Sequence, residues 1–135
     1  MDTFTLVLLD PKRKAVLGNI EELIVTTSDG ELGLLSRHID RIAELVISER
    51  KIKTSLAWHR YAIGGGSLLF DQKKNRATLC LESFEEDKDI DLVRAEKAKE
   101  EARDRLKNKL SFAQEQKFQI RLQRAINRIK VKNRK

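Results

Sequence analysis

The apolar residues of the first half of the chain occur in short runs with turn residues between them. Runs such as FTLVLLD, ELIVTT, GELGLL and ATLCL are rich in Val, Ile, Leu and Thr. The segments PKRK, SDGE and DQKKNR are interpreted as turns, and GGGS as a turn or a bulge between strands. Short strands at this spacing predict a small sandwich or barrel. The run RHIDRIAELVI fits a strand or a short helix equally well.

From Asp89 onward the apolar residues recur every three or four positions, which is the period of an amphipathic helix. Two helices with a break near NKLS predict an antiparallel hairpin. Because many residues of the apolar stripe are alanines, we expect a marginally stable hairpin that can open. The predicted stripe consists of Ala95, Ala98, Ala102 and Leu106 on the first helix and Phe118, Leu122, Ala125, Ile126 and Ile129 on the second.

Both predicted helices begin at capping residues. Asp91 can accept hydrogen bonds from the free backbone N–H groups of the first turn. Ser111 and Gln114 have the spacing of a capping box at the second helix. Arg94 stands where a capping box would have Glu or Gln, and a cation is unfavourable beside the positive end of the helix dipole. One exposed charge at an unfavourable position costs little free energy. Arg94 therefore either has no role or is present for a functional reason.

The charge of the chain is concentrated in its second half. The formal net charge is +7, with −2 over residues 1–90 and +9 over residues 91–135. No acidic residue follows Glu115, whereas eight basic residues do, the last of them Arg134 and Lys135. Such a segment favours an anionic partner, which can be nucleic acid, an anionic membrane or an acidic protein surface.

The sequence contains no motif for catalysis or for a metal site. Cys80 lies in an apolar strand pattern and is expected to be a buried thiol in a reducing compartment. His38 and His59 have no partner at a metal-ligand spacing, and GGGS lacks the lysine of a phosphate-binding loop. The acidic segment FEEDKDID is expected to be a solvated linker between the halves. The start, MDTFTLVLLDP, has no basic leader. We therefore expect no autonomous enzyme and no required cofactor.

Several motifs, in their order along the chain, resemble the epsilon subunit of bacterial F-type ATP synthases. They are DGELGLLSRH, AIGGGSLLF and DIDLVRAEKAKEEA, followed by a basic segment that ends LQRAINRIKV. The resemblance implies a β + α architecture, with an N-terminal β-sandwich over residues 1–88 and a C-terminal antiparallel two-helix hairpin over residues 89–135. The chain departs from the family at Ser36, where the loop commonly has proline, and this implies a less rigid loop.

The resemblance also implies the partners of each half. The sandwich is expected to bind the gamma subunit and the c-ring of a rotary ATPase through Gly30, Glu31, Gly33 and His38. The hairpin is expected to be regulatory, because in its extended state it would contact acidic segments of the catalytic beta subunits and block ATP hydrolysis. The residues expected at the beta contact are Arg121, Arg124, Arg128, Lys130 and Lys132.

In some epsilon subunits the folded hairpin resembles an ATP sensor, which would give Arg94 a role. Where good nucleotide binders carry a further arginine, this chain has Glu101, and its repulsion of a triphosphate would cost on the order of 1–3 kcal/mol. We therefore predict weak regulatory binding of ATP or none, with a solvated or beta-contacting basic face as the alternative. The positions that match the sensor are Ile90, Asp91, Arg94, Ala95, Arg124 and Arg128.

Together these implications describe a non-catalytic central-stalk subunit of a proton-translocating ATP synthase. It would lie at the cytoplasmic face of the bacterial plasma membrane and meet the membrane only through the complex. The competing interpretation is a small nucleic-acid-binding protein that uses the basic hairpin and loses affinity steeply with salt. Against it, no aromatic residues alternate with the basic ones, since Phe118 belongs to the apolar stripe. Thin apolar content also argues against a membrane-surface helix.

Overall fold

The computed structural model describes residues 2–133. The chain forms two compact units that divide between Glu86 and Asp87. The sequence placed the boundary after Lys88, two residues later. The basic residues Arg134 and Lys135 lie outside the described residues.

Eight strands make up the first unit. The predicted turns PKRK, SDGE and DQKKNR fall between consecutive strands that pair with each other. The strands are β1 (Phe4–Leu9), β2 (Lys14–Ile20), β3 (Glu22–Thr27), β4 (Gly30–Leu35), β5 (Arg41–Lys53), β6 (Trp58–Asp71), β7 (Arg76–Leu81) and β8 (Phe84–Glu86).

The strands form one hydrogen-bonded path that folds back on itself. Its order is β2-β1-β7-β6-β5-β3-β4, with β8 beside β6, and only the β1–β7 pair is parallel among these pairings. Leu23 of β3 and Leu79 of β7 are fully buried in the same apolar cluster, although their strands are separated in the path. Two faces of the sheet therefore pack against each other, and the predicted β-sandwich is confirmed.

The sequence pattern predicts a turn or a bulge between strands at GGGS. β6 runs without interruption through this segment and keeps one register with β5 across it, so GGGS lies within a strand and is not a turn. Gly66 has φ 150°, and a Cβ there would lie 2.0 Å from the carbonyl oxygen of Cys80. Glycine is needed because β7 approaches closely, and the chain does not reverse. Ile63 and Leu68 are both buried although they lie an odd number of positions apart. The alternation of side chains therefore changes phase across the glycines.

Three further interpretations of the first half are decided by the structure. Within the ambiguous run RHIDRIAELVI, residues 41–47 form the first part of β5, whereas residues 37–40 belong to the loop before it. Cys80 is exposed, so its prediction as a buried thiol is wrong: Leu79 and Leu81 face the core, and the period of two turns the residue between them outward. The acidic segment is more ordered than a plain linker, because it forms β8 and a 3₁₀ turn over Asp87–Asp89.

One cation is buried within the first unit. Arg50 of β5 is 0% exposed, and its guanidinium lies 4.4 Å from the ring centroid of Tyr61, its partner on β6. None of its side-chain nitrogens has a hydrogen-bond partner among the described residues. Burial lowers the pKa of Arg50 to about 9, because desolvation disfavours the charged form.

The second unit contains two helices, α1 (Leu92–Leu106) and α2 (Phe112–Asn133). A carboxylate oxygen of Asp91 accepts from the backbone N–H of Arg94 at 3.1 Å, which confirms the predicted N-cap. At α2, Ser111 Oγ accepts from the backbone N–H of Gln114, and Gln114 Oε1 accepts from that of Ser111, both at 3.3 Å. The predicted capping box is therefore confirmed.

The seam of the hairpin is built mainly from small side chains. Ala95, Ala102 and Ala125 are buried, while the larger Leu122 is half-buried. Ile126 was predicted in the seam but is 42% exposed, so that prediction is wrong. A helix turns about 100° per residue, which places Ile126 to the side of the row that contains Ala125.

Candidate functional site

The predicted contact residues of the sandwich follow β4, an edge strand. Gly30 and Glu31 begin the strand, Gly33 lies in its middle, and all three are exposed. His38 follows the end of the strand. Since a strand rises about 3.3 Å per residue, the path from Glu31 to Leu35 alone spans roughly 13 Å. The structure therefore places Glu31 and His38 toward opposite ends of β4 and does not bring them together.

His38 is held against the core by its ring. The imidazole meets Phe70 edge to face, with the ring centroids 5.6 Å apart. Nδ1 donates to the carbonyl oxygen of Ile39 at 2.7 Å, since a carbonyl can only accept. The ring is half-buried, whereas Ile39 beside it is 67% exposed. The loop thus presents an apolar side chain to solvent next to an anchored histidine.

An apolar row crosses the outer face of the sandwich, and the sequence analysis did not identify it. Consecutive strand pairings join Ile42 of β5 to Leu69 of β6, Leu69 to Thr78 of β7, Thr78 to Val7 of β1, and Val7 to Val16 of β2. Ile42 is 78% and Leu69 48% exposed, and Val16 is also exposed. We call these five residues the outer row. Val7 is only 9% exposed and Thr78 is half-buried, so Ile42, Leu69 and Val16 supply the exposed apolar surface of this row. Exposed apolar side chains grouped on one face are typical of a surface that binds protein.

A signal for the outer row was present in the sequence. In FTLVLL and SLLF, apolar residues occupy consecutive positions, so each strand carries apolar side chains on both faces. A strand with one face in water would alternate with polar residues. Cys80 lies in the adjacent line on the same face, because it pairs with Ser67 while Thr78 pairs with Leu69. The lone thiol of the chain is therefore beside the outer row.

The hairpin carries a groove lined largely by arginines. Its volume is about 710 Å³, and its floor includes Ala98, Ala102 and Phe118. Arg105 and Arg121 both lie near the ring of Phe118, at 5.7 and 5.4 Å from its centroid. The charged lining consists of Arg105, Arg121, Arg124, Arg128, Glu101 and Asp104.

The charges of the groove favour an anion. Four arginines face two carboxylates, and one of these carboxylates, Asp104, also meets Lys107 at 3.7 Å. The Nε of Arg124 is buried without a hydrogen-bond partner among the described residues. Glu101 lies among the arginines, so its negative charge would oppose a bound polyphosphate.

The residues expected to form an ATP sensor are only partly gathered at this groove. Arg124 and Arg128 line it, as does Glu101. Ile90, Asp91, Arg94 and Ala95 are not among its lining residues. Ile90 and Ala95 are buried, the carboxylate of Asp91 caps α1, and Arg94 is exposed. Arg94 and Glu101 are about two helical turns apart along α1, a rise of roughly 10 Å.

The residues expected at a beta-subunit contact lie mostly on one side of α2. Arg121, Arg124, Arg128 and Lys132 recur at three- and four-residue steps and share a face. Lys130 is exposed on another side of the helix. Lys132 Nζ donates to the carbonyl oxygen of Asp87 at 3.2 Å.

Within residues 2–133 there is no group of three or more His, Cys, Asp or Glu side chains arranged to hold a metal ion. Neither helix in that part of the chain combines the length and the apolar content that a membrane span requires.

Comparisons with known proteins agree along the whole chain. Residues 3–87 match the beta-sandwich domain of the ATP synthase Delta/Epsilon chain, and residues 88–133 match its long alpha-helix domain. An ATP synthase epsilon chain from Caldicellulosiruptor bescii is 35% identical over 131 residues, covering 97% of this chain and 94% of the relative. One from Ruminococcus albus is 33% identical over 135 residues and covers both chains completely.

Solved structures share the fold at lower identity. A chain of the mitochondrial ATP synthase of Euglena gracilis has a TM-score of 0.74 and 19% identity, covering 90% of this chain and 76% of that one. A chain of the central stalk and c-ring of the Tetrahymena thermophila mitochondrial ATP synthase has a TM-score of 0.69 and 12% identity, covering 98% of each. Nothing in these comparisons supports the nucleic-acid interpretation.

Proposed function

The chain belongs to the ATP synthase epsilon family, and on that basis we propose that it is a non-catalytic subunit of the central stalk of a proton-translocating rotary ATP synthase. Its sandwich binds the gamma subunit and the c-ring and so couples the rotor to the ring. The complex places it at the cytoplasmic face of the bacterial plasma membrane, where it meets the membrane only through its partners.

The observation that carries this proposal is the outer row on the sandwich. Ile42, Leu69 and Val16 expose apolar surface across several strands, and Ile39 adds to it from the neighbouring loop. Burying such a surface against a partner removes apolar area from water, which drives association. The polar residues Glu31 and His38 then contribute to the rim of the contact, where they set orientation more than affinity.

Cys80 provides a direct test of this docking face. The full chain is mixed with a gamma–c-ring subcomplex, and maleimide modification of Cys80 is followed by mass spectrometry. We expect the modification rate to fall in proportion to the fraction of chain that is bound. Ile42→Asp is expected to weaken binding by about 10-fold or more, since it places a charge in the buried contact.

Leu56→Asp is the matched control for that substitution. Leu56 is 92% exposed in the turn between β5 and β6 and lies outside the outer row, so this variant should bind like the wild type. Undiminished reactivity of Cys80 at saturating subcomplex, together with wild-type affinity of Ile42→Asp, would exclude the outer row as the docking face.

The hairpin is proposed to be the regulatory part of the subunit. Its alanine-rich seam buries little apolar surface, which suits an element that opens at low free-energy cost. The shared basic face of α2 offers complementary charge to acidic segments of the catalytic beta subunits. In this role the chain inhibits ATP hydrolysis and performs no chemistry itself.

Inhibition can be tested with two charge reversals on the same helix. ATP hydrolysis by an alpha–beta–gamma complex is titrated with the full chain, with Arg128→Glu and with Lys130→Glu. We expect Arg128→Glu to inhibit about 10-fold less well, because a like charge then meets the acidic partner. Lys130 was among the residues expected at the beta contact, but it lies on another side of α2, so we propose that it is outside the contact and that Lys130→Glu retains inhibition. Equal inhibition by all three chains would contradict a role for the basic face.

ATP is proposed to be at most a weak regulatory ligand of the hairpin. Arg124 and Arg128 supply positive charge, but Glu101 stands among them and repels a triphosphate. Titration calorimetry should therefore detect weak binding or none, and Glu101→Arg should strengthen it. Glu100→Arg is the control, since Glu100 is exposed beside Arg103 and does not line the groove. Tight, saturable binding of ATP by the wild-type chain would overturn this proposal.

A further inference from the structure

The loop over residues 36–40 is tied to the turn between β6 and β7 by side-chain hydrogen bonds. Asn75 uses all of its amide: Oδ1 accepts from the backbone N–H of Arg37 at 2.6 Å, and Nδ2 donates to the carbonyl oxygen of Thr3 at 2.9 Å and to Ser36 Oγ at 3.0 Å. The hydroxyl of Ser36 also donates to the carbonyl oxygen of Thr3, at 3.3 Å. One side chain thus joins three separate segments of the sandwich.

A second residue of the same turn holds the far side of the loop. Gln72 Nε2 donates to the carbonyl oxygen of Arg37 at 3.0 Å, and the backbone N–H of Gln72 donates to a carboxylate oxygen of Asp40 at 2.8 Å. Both backbone groups of Arg37 are therefore bonded to side chains of the turn. We call Asn75, Gln72 and Ser36, with these hydrogen bonds, the loop clamp.

The loop needs the clamp because its conformation is unfavourable by itself. Arg37 has φ 65°, in the left-handed region that residues with a Cβ rarely adopt. Asn75 has φ 50°, a conformation that asparagine tolerates better than most residues. A residue held in such a region persists only where its surroundings determine it. The clamp supplies that determination and fixes the direction of His38 and Ile39.

We propose that Asn75 is a positioning residue, which acts through Ser36 and Arg37 to hold the 36–40 loop in the one conformation that presents His38 and Ile39 to the rotor. The inference rests on the proposed docking function of the sandwich. In this chain the hydrogen bonds of Ser36 and Asn75 restrain the loop. A loop ordered before binding loses less conformational entropy when its partner arrives, so the clamp acts on affinity.

The test uses Asn75→Gly in the full chain, with binding to the gamma–c-ring subcomplex as the readout. Glycine accepts the left-handed backbone without strain, and the substitution removes all three hydrogen bonds made by the side chain of Asn75. We expect about 10-fold weaker binding from the loss of pre-organisation. Asn19→Gly is the matched control, because Asn19 is an exposed asparagine with φ 57° that makes no side-chain hydrogen bond within the described residues. It should bind like the wild type.

Rescue separates positioning from a general loss of stability. Ser36→Pro restores no hydrogen bond of Asn75, but the proline ring restricts the backbone of the loop. The residue before a proline must be extended, and Leu35 is already extended at the end of β4. Ser36→Pro combined with Asn75→Gly should therefore recover most of the lost affinity. If Asn75→Gly fails to fold, Gln72→Ala carries the test and should weaken binding by a smaller factor.

The outcomes distinguish this inference from the function on which it rests. A wild-type chain that does not bind the subcomplex contradicts the docking function. Wild-type binding together with unchanged affinity of Asn75→Gly and Gln72→Ala contradicts only the role of the clamp. Weakened binding that Ser36→Pro does not recover would also overturn it, because rigidity of the loop would then not be the cause.

Discussion

The two units of the chain differ in how much apolar surface each buries within itself. The sandwich buries large side chains such as Phe70, Leu6 and Leu79 in one continuous cluster. The buried residues of the two helices are Ala95, Ala102, Ala125 and Val131, so three of the four are alanines. Because stabilisation scales with apolar area removed from water, each large buried side chain of the sandwich contributes more than each buried alanine of the hairpin.

This difference suits two different tasks. A platform that transmits rotation must keep its docking face in one shape, and a deep core with clamped loops provides that rigidity. A regulatory element must change state within a few kcal/mol, and a seam of small side chains allows this. The chain also supplies separate probes for the two units, since Trp58, its only tryptophan, lies in the sandwich and both helices lie in the hairpin.

The largest expected effect comes from removing the centre of the sandwich core. Phe70→Ala deletes a fully buried ring that meets Phe4 and His38, and should lower the free energy of unfolding by about 3–5 kcal/mol. Urea unfolding followed by Trp58 fluorescence measures this. The helical signal at 222 nm should shift less. Coincident shifts of both signals would show that the units unfold together. Leu69→Ala, at the half-exposed neighbouring position, should lower the free energy of unfolding much less.

A change of intermediate size concerns the buried cation of the sandwich. Arg50→Met removes a charge that no hydrogen bond compensates and should stabilise the sandwich on the order of 1–4 kcal/mol at neutral pH. The unfolded chain keeps this guanidinium protonated up to its ordinary pKa, whereas the folded chain releases the proton near pH 9. The free-energy cost of burying the charged guanidinium is therefore full below about pH 9 and declines above it.

The pH dependence distinguishes this explanation from better packing alone. The stability difference between Arg50→Met and the wild type should shrink as the pH rises above 9, as measured by urea unfolding at several pH values. A constant difference across that range would contradict the titration of Arg50. Arg41→Met, an exposed arginine on the same strand, should change stability little at any pH.

The smallest expected effect tests the hairpin. Ser111→Ala removes the hydroxyl that caps α2 and should destabilise the helix by about 1 kcal/mol. Circular dichroism at 222 nm reports this change, while Trp58 fluorescence should not respond. Ser111→Asp retains an N-cap acceptor and is the control. A shift of the tryptophan signal equal to the helical one would remove the distinction between the two units.

Local patterns of the sequence were sufficient for much of the molecule. The caps at Asp91 and Ser111, the change of period after Asp89 and the strands of the first half follow from interactions between residues close in sequence. Predictions failed where the phase of a strand or helix decides which of its side chains reach the core. Cys80 and Ile126 are apolar-pattern residues whose direction depends on the phase of their own strand or helix, and composition alone does not give that phase.

The sequence by itself determined the order of a β half and a basic helical half, together with the motifs that identify the family. Only the tertiary structure decided that GGGS lies inside a strand, that Val16, Val7, Thr78, Leu69 and Ile42 form one row, and that Asn75 holds the loop at Arg37. The physical reason is that these features depend on strand register and close approach between distant segments. Hydrophobic period and turn chemistry specify each strand, but the pairing of strands is set by how the whole core packs.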